Sequence, residues 1–300
     1  MRVKHVLSLE DLSKEEILQL VRRAIQMKKW RAAGHRPIIF DGLVLALIFD
    51  KSSTRTRVSF EAAIGEAGGA TMFLTERDSQ LGRGESASDT AKVLSKMVDA
   101  VVIRTFKQST IECFASSSEI PVINGLTEEY HPCQLLADLL TFQEYKGEIA
   151  GRTVAWIGDG NNMCNTYMQA AKILGFNLNI AVPPGYEPKP IGYQGVRLFD
   201  KPKKAVLGAD LVVTDVWSSM GQETEEAERK AIFKPYHVDE KLMSQANPGA
   251  LFMHCLPAHV GEEVSEGVLQ HPQSVVWEEA GNRLHAQKAL LELLLKGSLV

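Results

Sequence analysis

The chain alternates short apolar runs with helical patterns, and this alternation restricts it to a small group of folds. The first run, at 43–49, is apolar throughout, and the segment after it carries Val58 and Phe60 with no glycine or proline before Gly65. Strand, helix and strand at this spacing are connected by right-handed crossovers and form a parallel sheet. Parallel strands are buried on both faces, so their sequences are continuously apolar. Strands are predicted at 43–49, 100–103, 121–124, 153–157, 178–182, 211–214 and 250–253.

Two domains are expected from the length of the chain and from one interruption. At 300 residues the chain exceeds one typical domain. A helix predicted at 132–146 leads out of the first alternation, Gly147 and Gly151 follow it, and a second alternation begins. A last helix, predicted at 283–296, is expected to return to the first domain. The predicted fold class is therefore α/β, with a parallel sheet in each domain.

Composition and charge argue against several classes of protein. A formal net charge of −4 implies no broad basic surface, which argues against binding to nucleic acid. The apolar runs are far shorter than the roughly 20 residues that span a membrane. We expect a soluble, cytoplasmic protein with no signal peptide and no membrane partner. Its thiols should be reduced, and no metal-like spacing links Cys113, Cys133, Cys164 and Cys255.

Five side chains suited to binding phosphate stand in a row where the first predicted strand gives way to a helix. They are the hydroxyls of Ser53, Thr54 and Thr56 and the guanidiniums of Arg55 and Arg57. Helix N-termini present unpaired N–H groups and partial positive charge, and arginine adds a planar double donor. The alternative is that Ser53 only caps the helix and the arginines face solvent. Five such residues in succession exceed what a cap requires, which favours an anion site.

A glycine-containing turn after the strand at 153–157 invites comparison with dinucleotide-binding loops. Gly158 and Gly160 are present, but Met163 stands where the third glycine of that pattern belongs. The next strand ends at Val182 before two prolines, so the acidic residue of the pattern is missing as well. We therefore do not favour a nicotinamide cofactor. The asparagines here are better interpreted as amide donors, Asn162 among them, at the carboxyl end of a strand.

Further polar groups are predicted at the carboxyl ends of strands or at the starts of helices. His131 and Gln134 begin the helix at 132–146, and Arg104 follows the strand at 100–103. A lone histidine is often structural, but these three groups together could donate to a carbonyl and accept from an amide. The polar loop at 76–85 is either a surface connection or a lid that contributes to a neighbour's site.

Two motifs in the second half of the chain also follow predicted strands. Asp215 could accept a substrate ammonium or cap the next helix, and its segment alone does not decide between these roles. Cys255 could be a nucleophile, a polarisable neighbour of the substrate or a small buried residue. No base is spaced to produce a thiolate, so covalent catalysis is disfavoured.

Four motifs, in order along the chain, resemble those of the ornithine carbamoyltransferases, in the aspartate/ornithine carbamoyltransferase superfamily. They are Ser-Thr-Arg-Thr-Arg at 53–57, His-Pro-Cys-Gln at 131–134, Asp-Val-Trp-Ser-Ser-Met-Gly at 215–221 and His-Cys-Leu-Pro at 254–257. The first two mark transcarbamoylases broadly, and the last two separate the ornithine enzymes from the aspartate enzymes. The resemblance extends from the first predicted helix to the last.

This resemblance implies two doubly wound parallel-sheet α/β domains joined by two interdomain helices. Residues 1–146, completed by the C-terminal helix at 283–300, would form a carbamoyl phosphate-binding domain, and residues 147–282 an ornithine-binding domain. The resemblance also implies a homotrimer, or a multiple of trimers, with active sites at subunit interfaces. Gln80 would then reach in from the adjacent subunit.

The resemblance also implies a role for each matching residue. Carbamoyl phosphate would be bound by Ser53, Thr54, Arg55, Thr56, Gln80, Arg104, His131, Gln134, Cys255, Leu256 and Arg283. Ornithine would be bound by Asn162, Asp215, Ser219 and Met220, with Asp215 on the α-amine. The residues implied to act in catalysis are Arg55, Arg104, His131 and Cys255.

The implied reaction transfers the carbamoyl group of carbamoyl phosphate to the δ-amine of L-ornithine, giving L-citrulline and phosphate in arginine metabolism. Biosynthesis is favoured over breakdown, although the sequence alone does not decide the direction. Neither a metal nor an organic cofactor is expected, because the leaving group is already activated. One alternative is a two-domain binding protein that closes on an amino acid without reacting it. Another is a transcarbamoylase for a different amine, such as putrescine or an acylated ornithine.

Overall fold

The computed structural model describes residues 3–75, 84–189, 192–218 and 226–299. The chain forms two compact units, one of residues Met1–Leu140 with Gly281–Val300 and the other of residues Thr141–Ala280. For comparison, the sequence predicted domains at 1–146 with 283–300 and at 147–282. Both boundaries between the observed units fall inside helices, as described below.

The first unit contains a four-stranded sheet in which every pair of neighbouring strands is parallel. Its strands are β1 (Val44–Phe49), β2 (Ala70–Thr75), β3 (Ala100–Arg104) and β4 (Val122–Leu126), in the order β2-β1-β3-β4. Its helices are α1 (Lys14–Ala32), α2 (Thr54–Gly65), α3 (Ala87–Leu94), α4 (Gln108–Ser117), the greater part of α5 (Pro132–Lys146) and the greater part of the last helix, α11 (Val276–Lys296). Ile48 and Ile103 of the sheet pack with Ile111 and Phe114 of α4, so burial of these apolar side chains holds the layers together.

The second unit contains a five-stranded sheet, and its neighbouring strands are also all parallel. Its strands are β5 (Thr153–Ile157), β6 (Asn177–Ala181), β7 (Val196–Phe199), β8 (Leu211–Thr214) and β9 (Leu251–His254), in the order β7-β6-β5-β8-β9. Its helices are α6 (Asn162–Leu174), α7 (Pro202–Val206), α8 (Glu226–Phe233), α9 (Glu240–Met243), α10 (Glu266–Leu269) and the start of α11 (Val276–Lys296). Gly175 ends α6 in the left-handed conformation, with φ of 77°, which glycine adopts without steric cost.

These two parallel sheets confirm the predicted α/β fold class. Strands β5 and β8 and helix α5 have the predicted bounds, and β1, β3, β4, β6 and β9 lie within two residues of the predictions. The sequence missed β2 and β7, which lie at the edges of their sheets and each pair with one strand. Both strands carry exposed residues and therefore have no continuous apolar run.

The predicted start of the last helix is wrong. Helix α11 begins at Val276, seven residues before the predicted start at 283, and it runs through Gly281. Glycine inside a helix costs only about 1 kcal/mol relative to alanine, and the buried Val276 compensates for part of that cost. Arg283 therefore lies inside the helix instead of at its start.

Within the described ranges, none of the helices combines the length and the apolar character that crossing a membrane requires.

Candidate functional site

In the first unit, the predicted anion-binding residues lie where the strand order reverses. The chain goes outward from β1 to β2 and then crosses to β3 on the other side of β1. Ligands of doubly wound sheets bind at this switch point, outside the carboxyl ends of the strands. Ser53 and Arg55 follow β1, and Arg104 is the last residue of β3. The topology therefore brings the phosphate motif and Arg104 to one edge of the sheet.

Ser53 caps the start of α2, as the alternative interpretation of the phosphate motif predicted. The Ser53 Oγ accepts a hydrogen bond from the backbone N–H of Thr56 at 3.3 Å. Arg57 makes contacts outside the phosphate motif. Its Nε pairs with Glu61 at 2.9 Å, and its guanidinium lies 3.7 Å from the centre of the Phe73 ring. The dense row of phosphate-binding groups therefore contains one arginine that has a separate structural role.

Arg283 connects three helices of the first unit. Its Nη2 donates to Thr56 Oγ1 at 2.8 Å, and its Nη1 donates to Gln134 Oε1 at 2.8 Å. Gln134 in turn donates through Nε2 to Asp138 Oδ1 at 2.9 Å. These side chains are buried, so the hydrogen bonds are shielded from water and hold a fixed geometry. The structure therefore assembles Thr56, Gln134 and Arg283 into one buried polar cluster.

His131 lies beside this cluster and is kept neutral. Its Nε2 is 3.5 Å from Arg283 Nη1. Burial holds the pKa of His131 well below its ordinary value, and the positive charges of Arg283, Arg104 and Arg55 lower it further. The imidazole is therefore uncharged at neutral pH, and it lies within the influence of three arginines.

A second buried network supports the turn before His131, and no pattern in the sequence predicted it. Gln108 Oε1 accepts from Thr127 Oγ1 at 2.8 Å and from Asn124 Nδ2 at 3.4 Å. The same Thr127 hydroxyl accepts from the backbone N–H of Tyr130 at 3.2 Å. These contacts fix the backbone immediately before His131. The partners lie up to 19 positions apart, and no local pattern joins them.

Lys51 lies near the phosphate motif, and no role was predicted for it from the sequence. It is buried, its Nζ lies 3.7 Å from the centre of the Phe106 ring, and it is 3.6 Å from Glu128 Oε1. The aromatic ring and the carboxylate offset the cost of burying its charge. Lys51 therefore adds a fixed positive charge two residues before Ser53.

The second unit has its own switch point, between β5 and β8, and polar residues follow both strands. Asn161 caps α6 by accepting from the N–H groups of Met163 and Cys164. Its Nδ2 donates to Asp215 Oδ2 at 2.7 Å. Asp215 also accepts through Oδ1 from the N–H of Val216 at 2.8 Å. The Asp215 carboxylate is thus held in one orientation by neutral donors.

The predicted ornithine residue Asn162 occupies the first position of α6, next to this contact. An amide that donates to Asp215 belongs to the neighbouring Asn161. The sequence could not distinguish two adjacent asparagines at the start of a helix. The cap geometry does so, because one side chain satisfies both the helix N–H groups and Asp215.

Cys255 approaches the same carboxylate. Its Sγ lies 3.1 Å from Asp215 Oδ1, which brings together two residues that the sequence singled out separately. Asp215 carries negative charge, and a nearby anion opposes thiolate formation. The contact therefore supports the expectation that Cys255 is not a covalent nucleophile.

His254 holds the backbone that carries Cys255 and Leu256. Its Nδ1 accepts from the N–H of Leu256 at 2.9 Å, and its Nε2 lies 3.1 Å from Glu263 Oε1. The backbone N–H of His254 donates to Glu279 Oε2 at 2.9 Å. Leu256 has φ of 57°, an uncommon conformation for a residue with a side chain. The bond to His254 thus stabilises an unusual backbone conformation.

An ion pair lies beside the Asp215 cluster, and the sequence did not predict it. Arg229 Nη2 contacts Asp159 Oδ2 at 2.5 Å, and Arg229 Nε donates to the carbonyl of Trp217 at 2.6 Å. Burial raises the pKa of Asp159 to about 6, with a contribution from Asp215, although Arg229 acts to lower it. Arg229 therefore joins α8 to the segments that follow β5 and β8.

Two groups of side chains have the spacing of metal ligands in the part of the chain that the structure describes. One consists of Asp215, His254 and Cys255, and the other of His259, Glu262 and Glu263. In the first group both His254 ring nitrogens are already engaged, by Leu256 and Glu263. We therefore assign no metal to that group.

Three predicted site residues, Gln80, Ser219 and Met220, lie outside the described residues.

Comparison with known proteins also divides the chain into two domains. Residues 4–144 match the model of the aspartate/ornithine carbamoyltransferase, carbamoyl-P binding domain. Residues 150–294 match that of the aspartate/ornithine carbamoyltransferase, Asp/Orn binding domain. The chain belongs to the aspartate/ornithine carbamoyltransferase family, in its ornithine carbamoyltransferase branch.

Individual relatives support the same branch. The chain is 56% identical to the ornithine carbamoyltransferase of Acinetobacter baumannii, over 100% of this chain and 99% of that protein. It is 53% identical to a protein of Pseudomonas aeruginosa named "Ornithine carbamoyltransferase, anabolic", over 99% of this chain and 98% of that protein. The solved ornithine carbamoyltransferase of Pyrococcus furiosus matches with a TM-score of 0.95 and 45% identity, over 99% of this chain and 98% of that one.

Proposed function

We propose that this chain transfers the carbamoyl group of carbamoyl phosphate to the δ-amine of L-ornithine, giving L-citrulline and phosphate. The observation that carries the proposal is the buried cluster of Thr56, Gln134 and Arg283, with the neutral His131 beside it. Such a cluster at the start of two helices suits an anionic ligand that also has a carbonyl and an amide. Family membership and the named relatives support the same reaction.

The first unit is proposed to bind carbamoyl phosphate. In the boundaries predicted from the sequence it consists of residues 1–146 with 283–300. The start of α2, with Ser53, Thr54, Arg55 and Thr56, is proposed to hold the phosphate. Arg104 and His131 are proposed to polarise the carbamoyl oxygen, and Gln134 to contact the amide. A neutral imidazole can donate a hydrogen bond to the developing oxyanion, and such a donor is typically worth roughly 3 kcal/mol in the transition state.

The second unit is proposed to bind ornithine. In the boundaries predicted from the sequence it consists of residues 147–282. The Asp215 carboxylate, oriented by Asn161 and by the N–H of Val216, supports a contact to the α-ammonium group. Cys255 is proposed to support this carboxylate through its 3.1 Å contact. The roles that resemblance implies for Asn162, Leu256, Ser219 and Met220, and for Gln80, stay predictions.

The proposed chemistry is acyl transfer. The neutral δ-amine attacks the carbonyl carbon, and negative charge develops on the carbonyl oxygen. The bond from that carbon to the phosphate oxygen then breaks, and the amine loses one proton, which passes to the departing phosphate or to solvent. The free δ-amine has a reference pKa of about 10, like lysine, so the protein must bind its minor deprotonated form near neutral pH. Electrostatic stabilisation of the oxyanion and of the departing phosphate, together with proximity, would provide most of the rate enhancement.

The test is to incubate the purified protein with carbamoyl phosphate and ornithine and to measure citrulline and phosphate together. We expect equal amounts of the two products, and little product with putrescine or N-acetylornithine, because neither offers the free α-amino acid. Arg55→Ala should reduce turnover at least about a hundredfold, while Arg22→Ala, at an exposed position of α1, should leave it unchanged. Ornithine binding without any product would support the amino-acid-binding alternative instead.

A homotrimer in the cytoplasm, acting in arginine biosynthesis, is proposed as the setting of this activity. The exposed apolar side chains of Ile38, Val58 and Met72 in the first unit support association of copies. The relative named "anabolic" supports the biosynthetic direction. Sedimentation equilibrium should give a multiple of three times the 33.1 kDa chain mass. A dimeric or monomeric mass would contradict the trimer and leave the reaction unaffected.

A further inference from the structure

The second unit contains a cavity that shares no residue with the Asp215 cluster. Its volume is about 710 Å³, and it lies at the carboxyl ends of β6 and β7. Pro183 and Pro184 come two and three residues after β6, and Lys201 and Pro202 follow β7. The remaining wall comes from the segment between Ile232 and Gln245. The carboxyl edge of a parallel sheet is where such folds place ligands, and this volume is in the range of small-molecule sites.

The walls of this cavity are apolar and rigid. Prolines at 183, 184, 202 and 235 contribute to it, together with the buried Tyr236. Proline loses little side-chain entropy on contact, and its ring, like that of tyrosine, presents a flat apolar surface. Ile232 and Leu242 complete the apolar lining. These walls favour a ligand with a flat apolar body.

The rim of the same cavity carries an excess of positive charge. Lys201, Lys203 and Lys241 line it, against two acids, Asp200 and Asp239. Asp200 pairs with Lys204 at 2.8 Å, and Asp239 Oδ1 accepts from the N–H of Leu242 at 2.7 Å as the cap of α9. In a chain of net charge −4, such a rim complements an anion.

We propose that this cavity binds a small organic anion with a flat apolar body, such as an aromatic carboxylate, sulfonate or phosphate. The apolar walls bind the body, and the lysines bind the anionic group. The proposal does not depend on the reaction proposed above, because neither the cavity nor its ligand takes part in that chemistry.

Two fluorescent probes that differ in one charged group test the proposal. 8-Anilinonaphthalene-1-sulfonate carries a sulfonate, and N-phenyl-1-naphthylamine is its uncharged counterpart. We expect one sulfonate probe per chain. The triple variant Lys201→Gln, Lys203→Gln, Lys241→Gln should weaken its binding about tenfold, as expected for the loss of partly exposed charge contacts. Binding of the uncharged probe should change by less than about twofold, because the apolar walls remain.

A matched variant separates local charge from net charge. Lys14→Gln, Lys92→Gln, Lys96→Gln removes the same number of charges from the first unit, and it should leave the binding of both probes unchanged. An equal loss of the sulfonate probe in both triple variants would overturn the proposal, because the effect would then reflect overall charge. Unchanged sulfonate binding in the cavity variant would overturn it as well.

A cavity-filling variant tests the apolar part. Gln245→Trp adds a large ring at the wall of the cavity and should reduce the binding of both probes, while circular dichroism reports that the fold is intact. Inorganic phosphate, which has no apolar body, should not displace the sulfonate probe at concentrations that leave ionic strength unchanged. Displacement by phosphate, or full binding of both probes to a folded Gln245→Trp protein, would overturn the proposed ligand class.

Discussion

Arg283 donates to Thr56 at 2.8 Å although the two residues are 227 positions apart in the chain. The other arm of the same guanidinium donates to Gln134, also at 2.8 Å. One planar side chain therefore fixes α11 against the starts of α2 and α5. Because a guanidinium holds two acceptors in a fixed fork, it orients the predicted phosphate-binding and amide-binding groups together.

Replacing this fork by a single ammonium should impair catalysis more than folding. Arg283→Lys keeps the charge but cannot hold both acceptors, so we expect kcat/KM to fall about a hundredfold. Steady-state kinetics for carbamoyl phosphate would measure the loss. Thr56→Ser, which keeps the acceptor oxygen, should retain most activity, whereas Thr56→Val should not. A value for Arg283→Lys within about threefold of the wild type would show that the fork does not matter.

The fold could be predicted well because its signals are local. Helix α5 and strands β5 and β8 are bounded as predicted, since apolar runs of strand length and a proline at the start of a helix act on neighbouring residues. The contact between Arg283 and Thr56 could not be derived in this way. Which buried residues of distant segments meet depends on the packing of the whole unit. The resemblance marked both residues, but no spacing in the sequence joins them.

The network before His131 yields a second prediction. Thr127→Val removes the hydroxyl that bonds Gln108 and Tyr130, and it leaves buried polar groups without their partner, a loss of about 1–3 kcal/mol of stability. We expect kcat to fall about tenfold with little change in the KM for ornithine, because the turn before His131 shifts.

Thr127→Ser is the matched control, since it restores the hydroxyl at the cost of one methyl group. Recovery of both stability and kcat is expected from it. If Thr127→Val lowered stability and left kcat unchanged, the network would support the fold and not the position of His131.

The amide of Asn161 has two roles that one substitution can separate. Asn161→Ser keeps an oxygen that caps α6 but removes the N–H group that bonds Asp215. Stability should change by less than about 1 kcal/mol, while the KM for ornithine rises about tenfold because Asp215 is less well oriented. Kinetics at saturating carbamoyl phosphate would measure this. An unchanged KM would remove Asn161 from ornithine binding.

The same residue illustrates the limit of sequence analysis at this site. The motif offered Asn161 and Asn162 equally, and resemblance selected the second for ornithine. Only the cap geometry shows that the first already holds Asp215. The pair of Asp159 and Arg229 was not predicted for a related reason, because its members lie 70 positions apart and no spacing in the sequence links them.

Two substitutions of His254 each keep a polar group near one of its two ring nitrogens. Asn places an oxygen near the Nδ1 position, which accepts from Leu256, and Gln places its polar group near the Nε2 position, which faces Glu263. If the backbone at Leu256 matters for activity, His254→Asn should retain about tenfold more kcat than His254→Gln. Both should be folded, as checked by circular dichroism. Equal activities, or the reverse order, would contradict this role of the Nδ1 contact.

The neutral state of His131 leads to a prediction about stability and pH. Its pKa in the folded protein lies well below the ordinary value of about 6.5, so below pH 6.5 the unfolded chain takes up a proton that the folded chain does not. Stability from this residue is therefore present above pH 6.5 and is lost as pH falls. Between pH 7.5 and 5.5 the loss should be about 1.4 kcal/mol.

Denaturant unfolding at fixed protein concentration would measure it by comparison with His131→Asn, which lacks the titrating group. The wild type should lose that much more free energy of unfolding than the variant over this range. Parallel pH profiles for the two proteins would mean that His131 has the same pKa in the folded and unfolded chains, and that the fold does not hold it neutral.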